Sequence, residues 1–129
     1  MRGTNGADNL LGNGGNDVLY ALGGTDNLLG GEGKDWVLGG NERRPLGGDK
    51  NLVGGPGNDG VLGGEDSDTV LGSSGNDFVS GDKGSDSAVV GGEGRDFTSG
   101  GRGADRIVGE EGGDWLTDGF LEDAWKDVL

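Results

Sequence analysis

An aspartate returns every nine residues along most of this chain, and each one closes the same kind of hexapeptide. Cut into nines, residues 3–38 read GTNGADNLL, GNGGNDVLY, ALGGTDNLL and GGEGKDWVL. Residues 54–89 read GGPGNDGVL, GGEDSDTVL, GSSGNDFVS and GDKGSDSAV, and residues 91–117 read GGEGRDFTS, GGRGADRIV and GEEGGDWLT. The template is G-G-x-G-x-D-x-U-x, with U apolar. Eleven of the twelve repeats carry the sixth-position carboxylate: Asp8, Asp17, Asp26, Asp35, Asp59, Asp68, Asp77, Asp86, Asp96, Asp105 and Asp114. Self-similarity at a fixed short period is the mark of a solenoid, in which each unit buries its apolar side only against its neighbours.

Composition says what such a solenoid lacks. The 129 residues are enough for one domain, and 34 of them are Gly while only two are Pro, which excludes collagen. Hydrophobic residues make up 29% and aromatics 5%, too little for an ordinary globular core. Gly also loses more backbone entropy on folding than any other residue. A chain this polar and this charged stays disordered unless something besides burial stabilises it. The net charge is −14, from 24 acidic against 10 basic residues, so nucleic-acid phosphate and anionic membranes are poor partners and cations are good ones. With no Cys and no His, disulfides, ordinary zinc sites and Cys or His catalysis are excluded. No apolar run has the length to span a bilayer, and the amino terminus has no signal-peptide core, so an export address, if there is one, lies elsewhere.

The nonapeptide resembles the repeat of the RTX (repeats-in-toxin) proteins, the hemolysin-type calcium-binding family, and the resemblance covers nearly all of residues 3–117. It implies an all-β fold: a right-handed parallel β-roll of about six 18-residue coils. GGxGxD makes each turn, xUx a short strand, and calcium is sandwiched between sequence-alternate repeats. The domain reading is a calcium-binding roll over residues 1–117, with a loop inserted at 40–47 and a short capping helix over 118–129. Calcium accepts six to eight hard oxygens in loose geometry, which stacked turns offer through carbonyls and carboxylates. Magnesium needs tight octahedral geometry and fits poorly.

Alternate repeats define two ion columns. One runs through Asp17, Asp35, Asp59, Asp77, Asp96 and Asp114 without interruption. The other runs through Asp8, Asp26, position 50, Asp68, Asp86 and Asp105, and position 50 is Lys50. An ammonium there repels calcium and empties two gaps. Either Lys50 pairs with Asp26 or Asp68 in place of an ion, or it points to solvent and Asp49 takes the ligand role. Counting the intact gaps gives about eight calcium ions, which would shift the net charge from −14 to roughly +2. Binding and folding then become one event.

Two breaks interrupt the period. NERRPLG, with Arg43 and Arg44, reads as a solvated loop or a docking site. One extra residue near Val89 and Val90 reads as a β-bulge. Eighth positions such as Leu10, Leu19, Val37, Val61, Val79 and Ile107 should line the interior, with seventh and ninth positions facing out. The even repeats then set Val18, Trp36, Gly60, Phe78, Phe97 and Trp115 in an outward row. That row either shields the roll face or, through Trp36, Phe78, Phe97 and Trp115, meets a second copy or another protein. In residues 119–129, Phe120, Leu121, Ala124, Trp125 and Val128 share a helical stripe that caps the roll or forms part of a carboxyl-terminal secretion signal of the kind the resemblance implies.

No catalytic constellation is present, and the glycine-rich stretches lack the strand-to-helix setting of a phosphate loop. The expected role is therefore non-enzymatic: a calcium-dependent folding module of a secreted, extracellular bacterial protein exported by the type I route, or a calcium-stabilised adhesion module.

Overall fold

The structure is a computed structural model describing residues 1–40 and 50–118. Within them the chain winds as a parallel β-solenoid of about six coils with two strands per coil. One sheet contains β1 (Asn9–Gly14), β3 (Asn27–Glu32), β5 (Asn51–Pro56), β7 (Thr69–Gly75), β9 (Ala88–Gly94) and β11 (Ile107–Val108), in that order. The other contains β2 (Val18–Tyr20), β4 (Trp36–Leu38), β6 (Gly60–Glu65), β8 (Phe78–Lys83), β10 (Phe97–Ser99) and β12 (Trp115–Thr117), again in sequence order. Every neighbour pair is parallel, and equivalent template positions stack: Leu10 on Leu28 on Leu52 on Val70 in one sheet, Leu19 on Val37 on Val61 on Val79 in the other. The expected loop insertion (40–47) and capping helix (118–129) lie, apart from Gly40 and Asp118, outside the described residues. Register survives the insertion, since Asn27 still pairs with Asn51 and Trp36 with Gly60.

The core is one residue wide. Eighth-position side chains from the two sheets meet in a single file, with Leu19, Leu28, Val37, Leu52, Val61, Val70, Val79, Val89 and Ile107 all buried. Seventh positions face out, as a period of two requires. Trp36 is 52% exposed and Trp115 73% exposed. So thin a core gives each coil little apolar burial, and the backbone ladder carries much of the cohesion.

Two sequence expectations are corrected. The strands extend beyond xUx: in β5, β7 and β9 the ladder continues through the turn glycines, with Gly55 opposite Ser73 and Ser73 opposite Gly92. Coil-to-coil bonds such as Gly57 N–H to Ser74 O (2.8 Å) tie the turns together as well as the strands. The extra residue lies earlier than Val89 and Val90. Ser87 donates to Asp68 O (3.0 Å) as a seventh-position residue does, yet Ala88 is the residue that pairs with Thr69. Ser87 and Ala88 thus share one rung, and Val89, not Ala88, enters the core. Valine fills the row that alanine would leave hollow.

Candidate metal centre

The sixth-position aspartates stand at the seams where strand meets turn, and the stacking brings alternate ones into two files as expected. From Asp26 to Asp105 they are buried, while the end members Asp8, Asp17 and Asp114 are half-buried. Beyond the first coil, with its Asp8 and Asp17, one carboxylate oxygen of each is already committed. The Oδ1 of Asp35 accepts the Asp17 amide (2.8 Å), Asp59 that of Asp35 (2.8 Å), Asp77 that of Asp59 (2.8 Å), Asp96 that of Asp77 (2.9 Å) and Asp114 that of Asp96 (3.1 Å). The other file repeats the pattern from Asp8 to Asp26 (2.9 Å), Lys50 to Asp68 (3.0 Å), Asp68 to Asp86 (2.9 Å) and Asp86 to Asp105 (2.9 Å). Each carboxylate therefore staples its own coil to the one before it.

The second oxygen has a different fate. The Oδ2 atoms of Asp17, Asp26, Asp35, Asp59, Asp77, Asp86 and Asp96 are buried with no hydrogen-bond partner. A buried polar atom left so costs about 1–3 kcal/mol, and more when charged. Seven repeated down two files make a pattern that asks for a cation. Asp8 is the exception, because its Oδ2 accepts from the Thr4 amide (2.6 Å) and the Thr4 hydroxyl (3.0 Å).

Each orphaned oxygen except that of Asp26, whose repeat begins with Ala21, opens on the first-position glycine of its own repeat. The point where a Cβ would stand on Gly54 lies 2.6 Å from Asp59 Oδ2 and 2.8 Å from the carbonyl oxygen of Gly72 in the next coil. For Gly30 the distances to Asp35 Oδ2 and Gly54 O are both 2.6 Å. These glycines are required for space rather than for conformation. The donor set is all oxygen, carboxylate and carbonyl, which suits calcium and not the softer metals. Among the described residues no three acidic side chains gather around one point, so each level offers few carboxylates and the carbonyls must supply the rest.

Burial and mutual repulsion raise the acids. Desolvation pushes Asp86 up to about 7, with Asp105, Asp68 and Asp82 adding repulsion against the bond from the Asp68 amide. Asp77 is pushed up to about 6, again chiefly by burial, and Asp26, Asp59 and Asp96 are raised for the same reason. Without a cation Asp86 holds its charge poorly at neutral pH.

Lys50 is 1% exposed, which rules out the reading in which it points to solvent; Asp49 lies outside the described residues. Thr98 is a residue that the template reading passed over. It takes an eighth position, where the pattern wants an apolar group, and its buried Oγ1 has no partner. That hydroxyl stands 3.0 Å, and Asp96 Oδ2 2.7 Å, from the Cβ point of Gly91, so a side-chain hydroxyl joins the carboxylate at this level. The departure of Thr98 from the apolar rule was the available signal.

The outward row of the even sheet is ordered. The Phe78 and Phe97 rings stack at 5.3 Å and 1° between planes, and the Trp36 ring lies over Gly60, within 2.6 Å of where its Cβ would be. Rings thus cover the sheet where glycine leaves it bare.

The family model of the RTX calcium-binding nonapeptide repeat matches this chain in 4 copies, over residues 2–41, 53–88 and 89–117. The stretch between the first two matches contains Lys50. No curated protein and no solved structure matches the chain.

Proposed function

Because the chain belongs to the family of RTX calcium-binding nonapeptide repeats, and binds calcium in a β-roll as that family does, we propose that its two aspartate files are the calcium sites and that filling them drives folding. The observation that carries this is the repeated buried Oδ2 with no partner. Asp17, Asp26, Asp35, Asp59, Asp68, Asp77, Asp86, Asp96, Asp105 and Asp114 would supply carboxylate oxygens, and Asp8 contributes less because Thr4 already holds it. Calcium supplies the positive charge that lets these acids ionise while buried. The chain's own part is to keep water out of the files, fix each carboxylate by its Oδ1 bond and turn carbonyls toward the next coil. About eight ions remains the expected load.

RTX repeats occur in secreted bacterial proteins. A fold that waits for calcium suits a chain made where the ion is scarce and used where it is abundant, since ligand binding only to the folded state stabilises it by mass action. Export by the type I route is part of the same proposal.

In excess chelator at neutral pH the chain is expected to show a disordered circular dichroism spectrum, and calcium titration to produce a cooperative β transition that magnesium does not. A β-rich spectrum in chelator at neutral pH defeats the reading. Asp77→Asn should bind fewer ions and fold only at higher calcium, whereas Glu93→Gln, on an exposed carboxylate, should match the wild type.

A second reading, an adhesion surface, is favoured by the absence of charge along the exposed Val18, Trp36, Phe78, Phe97 and Trp115 row of so acidic a chain. Changing Trp36, Phe78 and Phe97 together to Ser should leave calcium-driven folding intact and lower self-association in sedimentation. Unchanged sedimentation removes self-assembly from the row's roles.

A further inference from the structure

The buried lysine is the one member of either file that is not an acid. Its backbone keeps the template position: Asn51 N–H donates to Asp26 O (3.0 Å), Thr69 N–H to Lys50 O (2.9 Å), and the Lys50 amide to Asp68 Oδ1 (3.0 Å). Only the side chain differs. In every other repeat but that of Asp26, which begins with Ala21, a carboxylate oxygen opens on the first-position glycine; here the Lys50 Cδ occupies that place, 3.3 Å from the Cβ point of Gly39. It is also the largest fully buried side chain among the described residues. Burying an ammonium is costly unless oxygens of opposite charge meet it. Its charge acts on Asp26, against the burial that raises that acid.

We propose that Lys50 is an internal cation that stands in for calcium at mid-roll and divides one file into two separate ion runs, Asp8–Asp26 and Asp68–Asp86–Asp105. This rests on the calcium reading above and adds to it a level of the roll that closes without metal. The level lies beside the sequence insertion between Gly40 and Lys50, on either side of which the register is kept. A tethered charge there holds Lys50 and β5 in register against the coils of Asp26 and Asp68 without an ion at that level. Neither gap beside Lys50 takes calcium, because an ion would meet the ammonium at close range.

The test counts ions. Wild type, Lys50→Asp and Lys50→Met are each dialysed against calcium to equilibrium, and bound metal per chain is measured alongside circular dichroism. Lys50→Asp restores the template and should bind one or two more ions than wild type. Lys50→Met keeps the bulk and loses the charge; it should bind no extra ion, and its folding midpoint should rise about twofold in calcium, because the lost pairing is shared among many ions. Equal ion counts for wild type and Lys50→Asp overturn the inference, as does failure of Lys50→Asp to fold in saturating calcium or a wild-type midpoint for Lys50→Met. A wild-type chain that binds no calcium refutes instead the reading on which the inference rests.

Discussion

Stripped of calcium, the chain should recover its β-structure on acidification. Asp86, pushed up to about 7, and Asp77, pushed up to about 6, bind protons more tightly when folded than in the unfolded chain, where an aspartate titrates near 3.9. Asp26, Asp59 and Asp96 shift the same way. Between about pH 4 and 7 the folded state therefore holds more protons, and its stability falls as pH rises. The stabilisation is complete below the unfolded value and is lost as pH climbs through 6 and 7. Protons and calcium solve the same problem, since either removes the uncompensated charge from the files. In chelator, circular dichroism at pH 5 should be markedly more β-like than at pH 7.5. With calcium present, the midpoint should rise on acidification, because ions must then displace protons from Asp77 and Asp86. Calorimetry in buffers of different ionisation enthalpy should register that release. Metal-free spectra that do not change between pH 7.5 and 5, or that gain β-structure toward alkaline pH, would contradict the burial of these acids. Dilute samples are needed, because the sequence pI of about 4.1 brings the chain near zero net charge at the acid end.

Much of this was readable in the nonapeptide. The apolar residue two places after each aspartate marked the core file, and alternation placed Trp36, Phe78 and Phe97 outside. The aspartates identified the files but not how a carboxylate divides its labour. That Oδ1 staples one coil to the last depends on contacts 18 or more residues apart, which no local pattern encodes, whereas the glycine that Oδ2 faces belongs to the same repeat. The run SDSAVV admits two registers, and only the need to fill the core chooses Val89 over Ala88. Lys50 was visible as an anomaly, but whether it pointed in or out was a matter of packing. Thr98 broke the apolar rule in plain view and was absorbed into the template by its neighbours.

The glycines divide in a way the consensus conceals. Second positions take positive φ but accept other residues: Asn13 at 75°, Leu22 at 77°, Ser73 at 94°, Asp82 at 72° and Glu110 at 79°. Most fourth positions lie further out, with Gly57 at 147° and Gly84 at 151°, where side chains are rarely tolerated, while Gly15 at 105° and Gly24 at 113° stay in the range of the second positions. Asp66 occupies a fourth position only by retreating to 86°. A Cβ on Gly57 would also fall on the carbonyl oxygen of Gly33 in the coil before. That oxygen cannot yield cheaply, because Gly33 donates to Pro56 O (3.0 Å) and Gly57 to Ser74 O (2.8 Å), so opening the coils breaks ladder bonds. Gly57→Ala should therefore cost about 3 kcal/mol or more and lower the thermal midpoint in saturating calcium by about 12 °C or more. Gly55→Asn, at a second position stacked beside Ser73, would bring its Cβ 2.5 Å from Gly31 O, but it can relax toward the φ of Asn13 and should cost only about 1 kcal/mol. Measured together by thermal melts, the pair separates a turn that merely prefers glycine from one that cannot do without it. Equal losses from the two variants would show that overlap with the neighbouring coil, and not backbone conformation, governs both positions.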